Sequence, residues 1–339
     1  MQSSPLVDEM FHGHVELERG DGWVKPWRLP WRRRALFPSP DEGLLARAET
    51  ASGVRLRLAT KARRLRLRLC PLPRTAPAVE RDAFHFDLTI DGELLISAAV
   101  PPGGDAADFA DLPAGDKVVE IWLSQEVPVA LAGLEGDAVA RPAPDTRPRW
   151  VTYGSSLTHC VRAHSPARTW PAIVARRHDL HLTNLGFGGQ CHLDPMLGSV
   201  IAALPADYIS LKLGINTVSG SLSARTYPAA VVGLVHTIRQ QHPDTPLALV
   251  SPMGYPPHET EPNPVGYTIG GMRRDMEDVY NRLVGLGDDH LIYVNGLEVF
   301  SLELIERHTE DQCHPGPDGI EIQADNFDGA VMKRLLAFS

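Results

Sequence analysis

The chain has 339 residues, 43% hydrophobic and 22% charged, which is enough apolar material for two cored domains and excludes an extended disordered chain. A net charge of -9 at pH 7 removes any general attraction to a nucleic-acid backbone or an anionic membrane. Cys70, Cys160, Cys191 and Cys313 are too few to staple a chain of this length and fit a reducing compartment. The first residues carry Asp8 and Glu9 where a signal peptide would be basic and then apolar. No stretch approaches membrane-spanning length, so the expected location is cytoplasmic.

Residues 1–140 read as an all-β sandwich, jelly-roll-like. Val54–Leu58, Leu65–Leu69, Phe84–Ile90 and Lys117–Leu123 alternate with the period of half-buried strands, and Asp91-Gly92, Pro101-Pro102-Gly103-Gly104 and Ala114-Gly115-Asp116 supply turns. The strand arginines fall opposite the leucines, where alternation predicts a solvated face. Trp23, Trp27 and Trp31 have helical spacing, but Pro26 and Pro30 forbid a helix there. They either pack in the sandwich or at a domain junction, or stack on a sugar ring.

Residues 141–149, rich in proline, read as a stiff linker. From 150 to 339 strand and helix alternate. Strands are expected at Trp150–Tyr153, Leu180–Leu185, Tyr208–Leu213, Leu247–Val250 and Leu291–Val294, and helices begin near Trp170, Pro195 and Tyr227. Such alternation predicts a parallel sheet with helices on both faces. Ile320, Ala324, Phe327, Val331 and Leu335 form the apolar stripe of a last helix. The long stretch Ser251–Tyr267 reads either as a lid or acyl-pocket wall, or as a plain surface loop.

The chemistry-bearing residues fall at the carboxyl ends of these strands. Gly154-Ser155-Ser156 forms a strand-to-helix corner that presents the Ser156 hydroxyl, the candidate nucleophile. Asp311-Gln312-Cys313-His314 places a carboxylate three residues before an imidazole, so one short loop can orient His314 as the base for Ser156. After the second and third strands, Gly189 offers a backbone amide without a side chain in the way, and Asn216 offers a carboxamide. With the amide of Ser156 these make three donors for an oxyanion.

Together the four segments resemble the SGNH hydrolase superfamily, the GDSL-type esterases and lipases. The matching blocks are Gly154-Ser155-Ser156-Leu157, Asn184 to Gly189, Gly214-Ile215-Asn216, and Asp311-Gln312-Cys313-His314-Pro315, with Trp170-Pro171 where such enzymes often carry the same pair. The resemblance implies a flavodoxin-like three-layer α/β/α domain, with Ser156, His314 and Asp311 as triad and Ser156, Gly189 and Asn216 as oxyanion hole. It implies no cofactor and no metal. Ser155 and Thr217 stand where many members have Asp, which bears on the support of the loops rather than on the triad. A sandwich before such a domain is similar to the arrangement in some carbohydrate acetyl esterases and in a branch of actinomycete proteins that includes natural-product acyltransferases.

Several alternatives accompany this reading. Cys160, Cys191 and Cys313 lie near His159, His192 and His314 in the sequence, so a thiolate and imidazole metal site is a competing use, as is a Cys160 to Cys191 contact or disulfide. Arg162, Arg168 and Arg273 are cations that could meet an anionic substrate. The expected partner is a small-molecule acyl ester, with O-acetyl sugars among the options. The products follow from the second nucleophile: water makes an esterase, a hydroxylated acceptor an acyltransferase. A carbohydrate-binding protein with an inactive hydrolase domain is the reading from a different class.

Overall fold

The computed structural model describes residues 1–73 and 82–338. Its strands are β1 (Gln2–Ser4), β2 (Phe11–His12), β3 (Glu16–Gly20), β4 (Trp23–Trp27), β5 (Arg55–Thr60), β6 (Leu65–Leu69), β7 (Phe84–Ile90), β8 (Glu93–Val100), β9 (Ala106–Phe109), β10 (Lys117–Trp122), β11 (Leu131–Gly136), β12 (Ala140–Pro142), β13 (Arg149–Gly154), β14 (His181–Gly186), β15 (Tyr208–Lys212), β16 (Leu247–Val250) and β17 (Leu291–Val294). Two compact units emerge, one from residues 1–147 with 163–184, the other from 148–162 with 185–339.

The first unit holds two antiparallel sheets, in the orders β3-β4-β11-β6-β9 and β12-β5-β10-β7-β8, with β1 on β11 and β2 on β5. Alternation does the building. Leu65, Leu67 and Leu69 of β6 and Leu56 and Leu58 of β5 join one apolar core with Phe84, Phe86, Val119 and Ile121, each such side chain contributing about 2 kcal/mol of burial. The opposite face of β6 carries Arg66 and Arg68, which pair with Asp108 and Glu135 at the surface, as alternation predicts.

Arg55 departs from that expectation. It is wholly buried, because the outer face of its sheet is covered by residues 163–184 of the same unit. Its guanidinium bonds Glu120, the Gly53 carbonyl and the Leu182 carbonyl. Asp87, on the same face, accepts from the Ala167 amide at 2.8 Å. The proline-rich stretch after β12 is also packed into this unit: Asp145 takes a two-armed bond from Arg147, and Arg147 reaches Glu120 as well. Trp27 is buried, bonds Glu18 and stacks on Trp31 at 4.8 Å, so these rings serve packing within the unit.

The second architecture is a five-stranded sheet in the order β14-β13-β15-β16-β17, with β13, β15, β16 and β17 paired in parallel. In sequence terms that is 2-1-3-4-5, the flavodoxin-like order, which reverses direction between its first and third strands. Trp150 and Thr152 of β13 share a face with Ser210 of β15, joined by side-chain hydrogen bonds, and Trp150 packs on Phe327. The apolar stripe Ile320, Ala324, Phe327, Val331 and Leu335 is buried. One difference appears: the helix Pro317–Phe327 widens into a π-helical turn over Asp328–Met332 before Lys333–Leu336. Among the described residues no helix is long and apolar enough to cross a membrane.

The stretch Ser251–Tyr267 is buried at Ser251, Met253, Asn263 and Tyr267 and pinned at several points. Asn263 accepts from the amides of Val265 and Tyr267 and donates to the Val218 carbonyl, while Glu259 pairs with Arg273. Arg273 is nearly buried and also donates to the carbonyls of Pro252 and Met253, so it is a structural cation.

Candidate active site

β13 ends at Gly154, and the short helix Ser156–His159 starts two residues later. The corner is tight because a Cβ on Gly154 would stand 2.3 Å from the Thr158 hydroxyl. Ser155, in the position where Asp was expected from the resemblance, caps the helix by accepting from the Leu157 amide. Thr217 fills the other such position and donates to the Gly214 carbonyl at 2.7 Å. Hydroxyls therefore take over loop support from the missing acids.

Three predicted residues meet. Ser156 Oγ lies 2.8 Å from His314 Nε2, and His314 Nδ1 lies 2.7 Å from Asp311 Oδ2. The other carboxylate oxygen, Oδ1, accepts from the backbone amides of Cys313 and His314 at 3.1 and 2.7 Å. The Asp311 to His314 spacing works because the turn between them lets the acid hold both the ring and the backbone of its partner. Burial opposes ionisation of Asp311, but the His314 amide and ring and the Cys313 amide outweigh it and hold the carboxyl at about 2. An acceptor-only carboxylate keeps the proton of His314 on Nδ1 and leaves Nε2 free to accept from the serine hydroxyl.

Gly189 and Asn216 follow β14 and β15, the strands on either side of β13. Gly189 has a φ of +72° with open space where a Cβ would be, so its backbone is open to an incoming group. Two locks that the sequence analysis does not name act on this region. The Cys191 amide donates to Asn216 Oδ1 at 2.9 Å, which fixes the carboxamide and leaves its NH2 as the outward donor. His192 donates from Nε2 to the Gly189 carbonyl at 3.1 Å while its Nδ1 accepts from Ser221. That tautomer follows from the carbonyl, which can only accept. The spacing Gly189-x-x-His192 was the available signal for the second lock.

Arg162, one of the cations that could meet an anionic substrate, also completes the acid loop. Its guanidinium donates to Asp311 Oδ2 at 3.0 Å and to the His314 carbonyl at 3.2 Å. The four cysteines are free thiols, and burial pushes Cys191 up to about 12 and Cys313 up to about 11, so both are protonated at neutral pH. His159, His192 and His314 do not gather with them: among the described residues the metal-competent group is His12, Asp145 and His181, in the other unit. There Asp145 Oδ2 takes the Arg147 guanidinium at 2.7 Å and His181 Nδ1 at 3.0 Å, while the buried His12 Nε2 has no hydrogen-bond partner.

The profile of the GDSL-like Lipase/Acylhydrolase family matches residues 147–332, and that of the SsfX3 N-terminal domain matches residues 9–129. Among solved structures, the salicylyl-acyltransferase SsfX3 from a tetracycline biosynthetic pathway is 32% identical, with 98% of this chain and 96% of that chain covered and a TM-score of 0.88. A protein named as a GDSL-like lipase, from Bacteroides ovatus, is 19% identical over 96% and 95% of the two chains, with a TM-score of 0.75. A family two carbohydrate esterase from Clostridium thermocellum is 15% identical over 86% and 94%, with a TM-score of 0.63. The last two are similar in fold alone. No curated protein sequence matches.

Proposed function

Because the chain belongs to the GDSL-like lipase/acylhydrolase family and is an enzyme of ester bonds, we propose that it moves a small acyl group through an ester on Ser156. The observation that carries this reading is the continuous relay from Ser156 Oγ through His314 to Asp311, with spacings of 2.8 and 2.7 Å. His314 Nε2 takes the hydroxyl proton as Ser156 Oγ bonds to the substrate carbonyl carbon. The electron pair displaced onto the carbonyl oxygen is met by the amides of Ser156 and Gly189 and by the Asn216 carboxamide. Collapse breaks the bond to the leaving alkoxide, which receives the proton from His314. A second nucleophile then gives its proton to His314 as it bonds to the acyl carbon, and the bond to Ser156 Oγ breaks as Oγ takes that proton from His314.

Water as that nucleophile gives a hydrolase. A hydroxylated small molecule gives a transferase, and this second reading is favoured by the similarity to a salicylyl-acyltransferase, which runs through both domains. The family two carbohydrate esterases share the fold at 15% identity, which lends no support to a sugar substrate.

The test is release of p-nitrophenol from short acyl esters, with and without an alcohol acceptor. Ser156→Ala should lower kcat by about four orders of magnitude or more. Retained turnover in that variant would remove the serine mechanism, and a new ester with the acceptor would assign a transferase.

A further inference from the structure

Ser156 and His314 stand on separate segments, the turn after β13 and the loop ahead of the helix Pro317–Phe327. The side chains of His314 and Asp311 are 35% and 37% exposed, so burial alone does not fix the acid loop and directional bonds must. Arg162 supplies two of them. It lies six residues after Ser156 and grips the acid loop at both ends of its turn. Nη2 donates to Asp311 Oδ2 at 3.0 Å, and Nη1 donates to the His314 carbonyl at 3.2 Å. Asp311 Oδ2 is also the oxygen that takes His314 Nδ1 at 2.7 Å, so guanidinium and imidazole share one acceptor.

Resting on the serine acyl-transfer reading, we infer that Arg162 is a positioning residue: its two-armed grip holds His314 opposite Ser156, and its charge sets the lower pH limit of turnover. His314 acts as a base only while Nε2 carries no proton. A cation bound to the same carboxylate oxygen opposes a second positive charge on the ring, so removing that cation must raise the pH at which the ring gives up its proton. Asp311 stays ionised without Arg162, because against the upward push of burial the His314 amide and ring and the Cys313 amide hold its carboxyl at about 2. Other groups reaching this loop titrate above the ordinary imidazole range of about 6.5. Burial pushes the Cys313 thiol up to about 11 and the Tyr255 phenol above its ordinary value, and brings Lys212 down only to about 8. His308, Glu310 and Asp318 flank the loop in sequence, and the variants below keep all three.

The experiment follows kcat and kcat/KM for p-nitrophenyl acetate from about pH 5 to 9, corrected for the rate in buffer alone, in the wild type, Arg162→Gln and Arg162→Lys. Glutamine removes the charge, and the acid limb of kcat/KM should move up by about half a pH unit or more, a shift kept modest by solvent screening. The plateau kcat should fall about tenfold or more as the ring loses an anchor. Lysine restores the charge at one point without the planar fork, so the limb should return most of the way to its wild-type position while the plateau stays low. A merely structural role would lower turnover alike at every pH and leave the limb in place. An acid limb unmoved in Arg162→Gln overturns the inference, and so does one displaced equally in both variants or a plateau kcat within about twofold of wild type in both. Turnover surviving Ser156→Ala marks failure of the serine reading itself. An inactive Ser156→Ala with an unmoved limb in Arg162→Gln marks failure of the Arg162 inference alone.

Discussion

Asn216 is half-exposed, and its side chain is held by the Cys191 amide, which donates to Oδ1 at 2.9 Å. Truncating it removes one proposed oxyanion donor and one ordinary hydrogen bond, and the two losses separate by size. Asn216→Ala should lower kcat about 100- to 1000-fold while stability falls by only ~1 kcal/mol, read from steady-state kinetics and urea unfolding. A drop in activity no larger than fewfold would take Asn216 out of the oxyanion hole. At this scale the sequence exposed side chains whose chemistry is intrinsic: Ser156 at a glycine corner, Asp311 three residues before His314, Asn216 after a strand. It hid the contacts that aim them. Arg162 reaches Asp311 from 149 residues away, and the Cys191 lock uses a backbone amide, which no residue type announces. Both depend on where distant segments fold.

At the scale of elements, close approach decides which glycines matter. Gly186 ends β14, and a Cβ there would stand 2.3 Å from the His159 amide nitrogen and 2.5 Å from the Thr158 carbonyl carbon. Backbone cannot swing aside as a side chain can, so the corner that carries Ser156 would have to move. Gly233, in the exposed middle of the helix Tyr227–Arg239, has nothing within 4 Å of a Cβ. Gly186→Ala should destabilise by about 3 kcal/mol and reduce turnover, whereas Gly233→Ala should stabilise by about 1 kcal/mol and leave turnover unchanged. Urea midpoints with p-nitrophenyl ester rates check the pair; similar shifts for both would refute the packing argument. Alternation of apolar and polar residues was enough to make strands of both sandwich sheets legible in the sequence. It failed for Arg55, because period two says which face a residue takes and not what later covers that face.

The two units of the molecule bury ionic groups in opposite ways. The first keeps Asp145 beside Arg147 and Arg55, and although burial opposes its ionisation, the Arg147 and His181 bonds hold its carboxyl well below the usual range. The second buries an amine. Lys212 ends β15, is 4% exposed, and its Nζ contacts the Met253 sulfur at 3.4 Å, with no carboxylate at ion-pair distance among the described residues. Burial lowers its pKa from 10.5 to about 8, against a weaker upward pull from the thiols around it. The unfolded chain therefore holds more protons than the folded one between pH 8 and 10.5, and unfolding free energy must rise with pH across that window. Below it the buried cation costs a constant amount, about 3 kcal/mol from a shift of that size. Lys212→Met puts a thioether-bearing chain of similar length beside Met253. It should raise stability at pH 7 by up to ~3 kcal/mol and abolish the alkaline rise, seen as the difference between variant and wild type in urea unfolding at several pH values. Trp150, the one tryptophan of the second unit, gives a fluorescence probe for that unit when the other five are replaced by phenylalanine. A difference that stays constant from pH 7 to 10.5 would mean that Lys212 keeps its proton throughout, and that a partner offsets its burial.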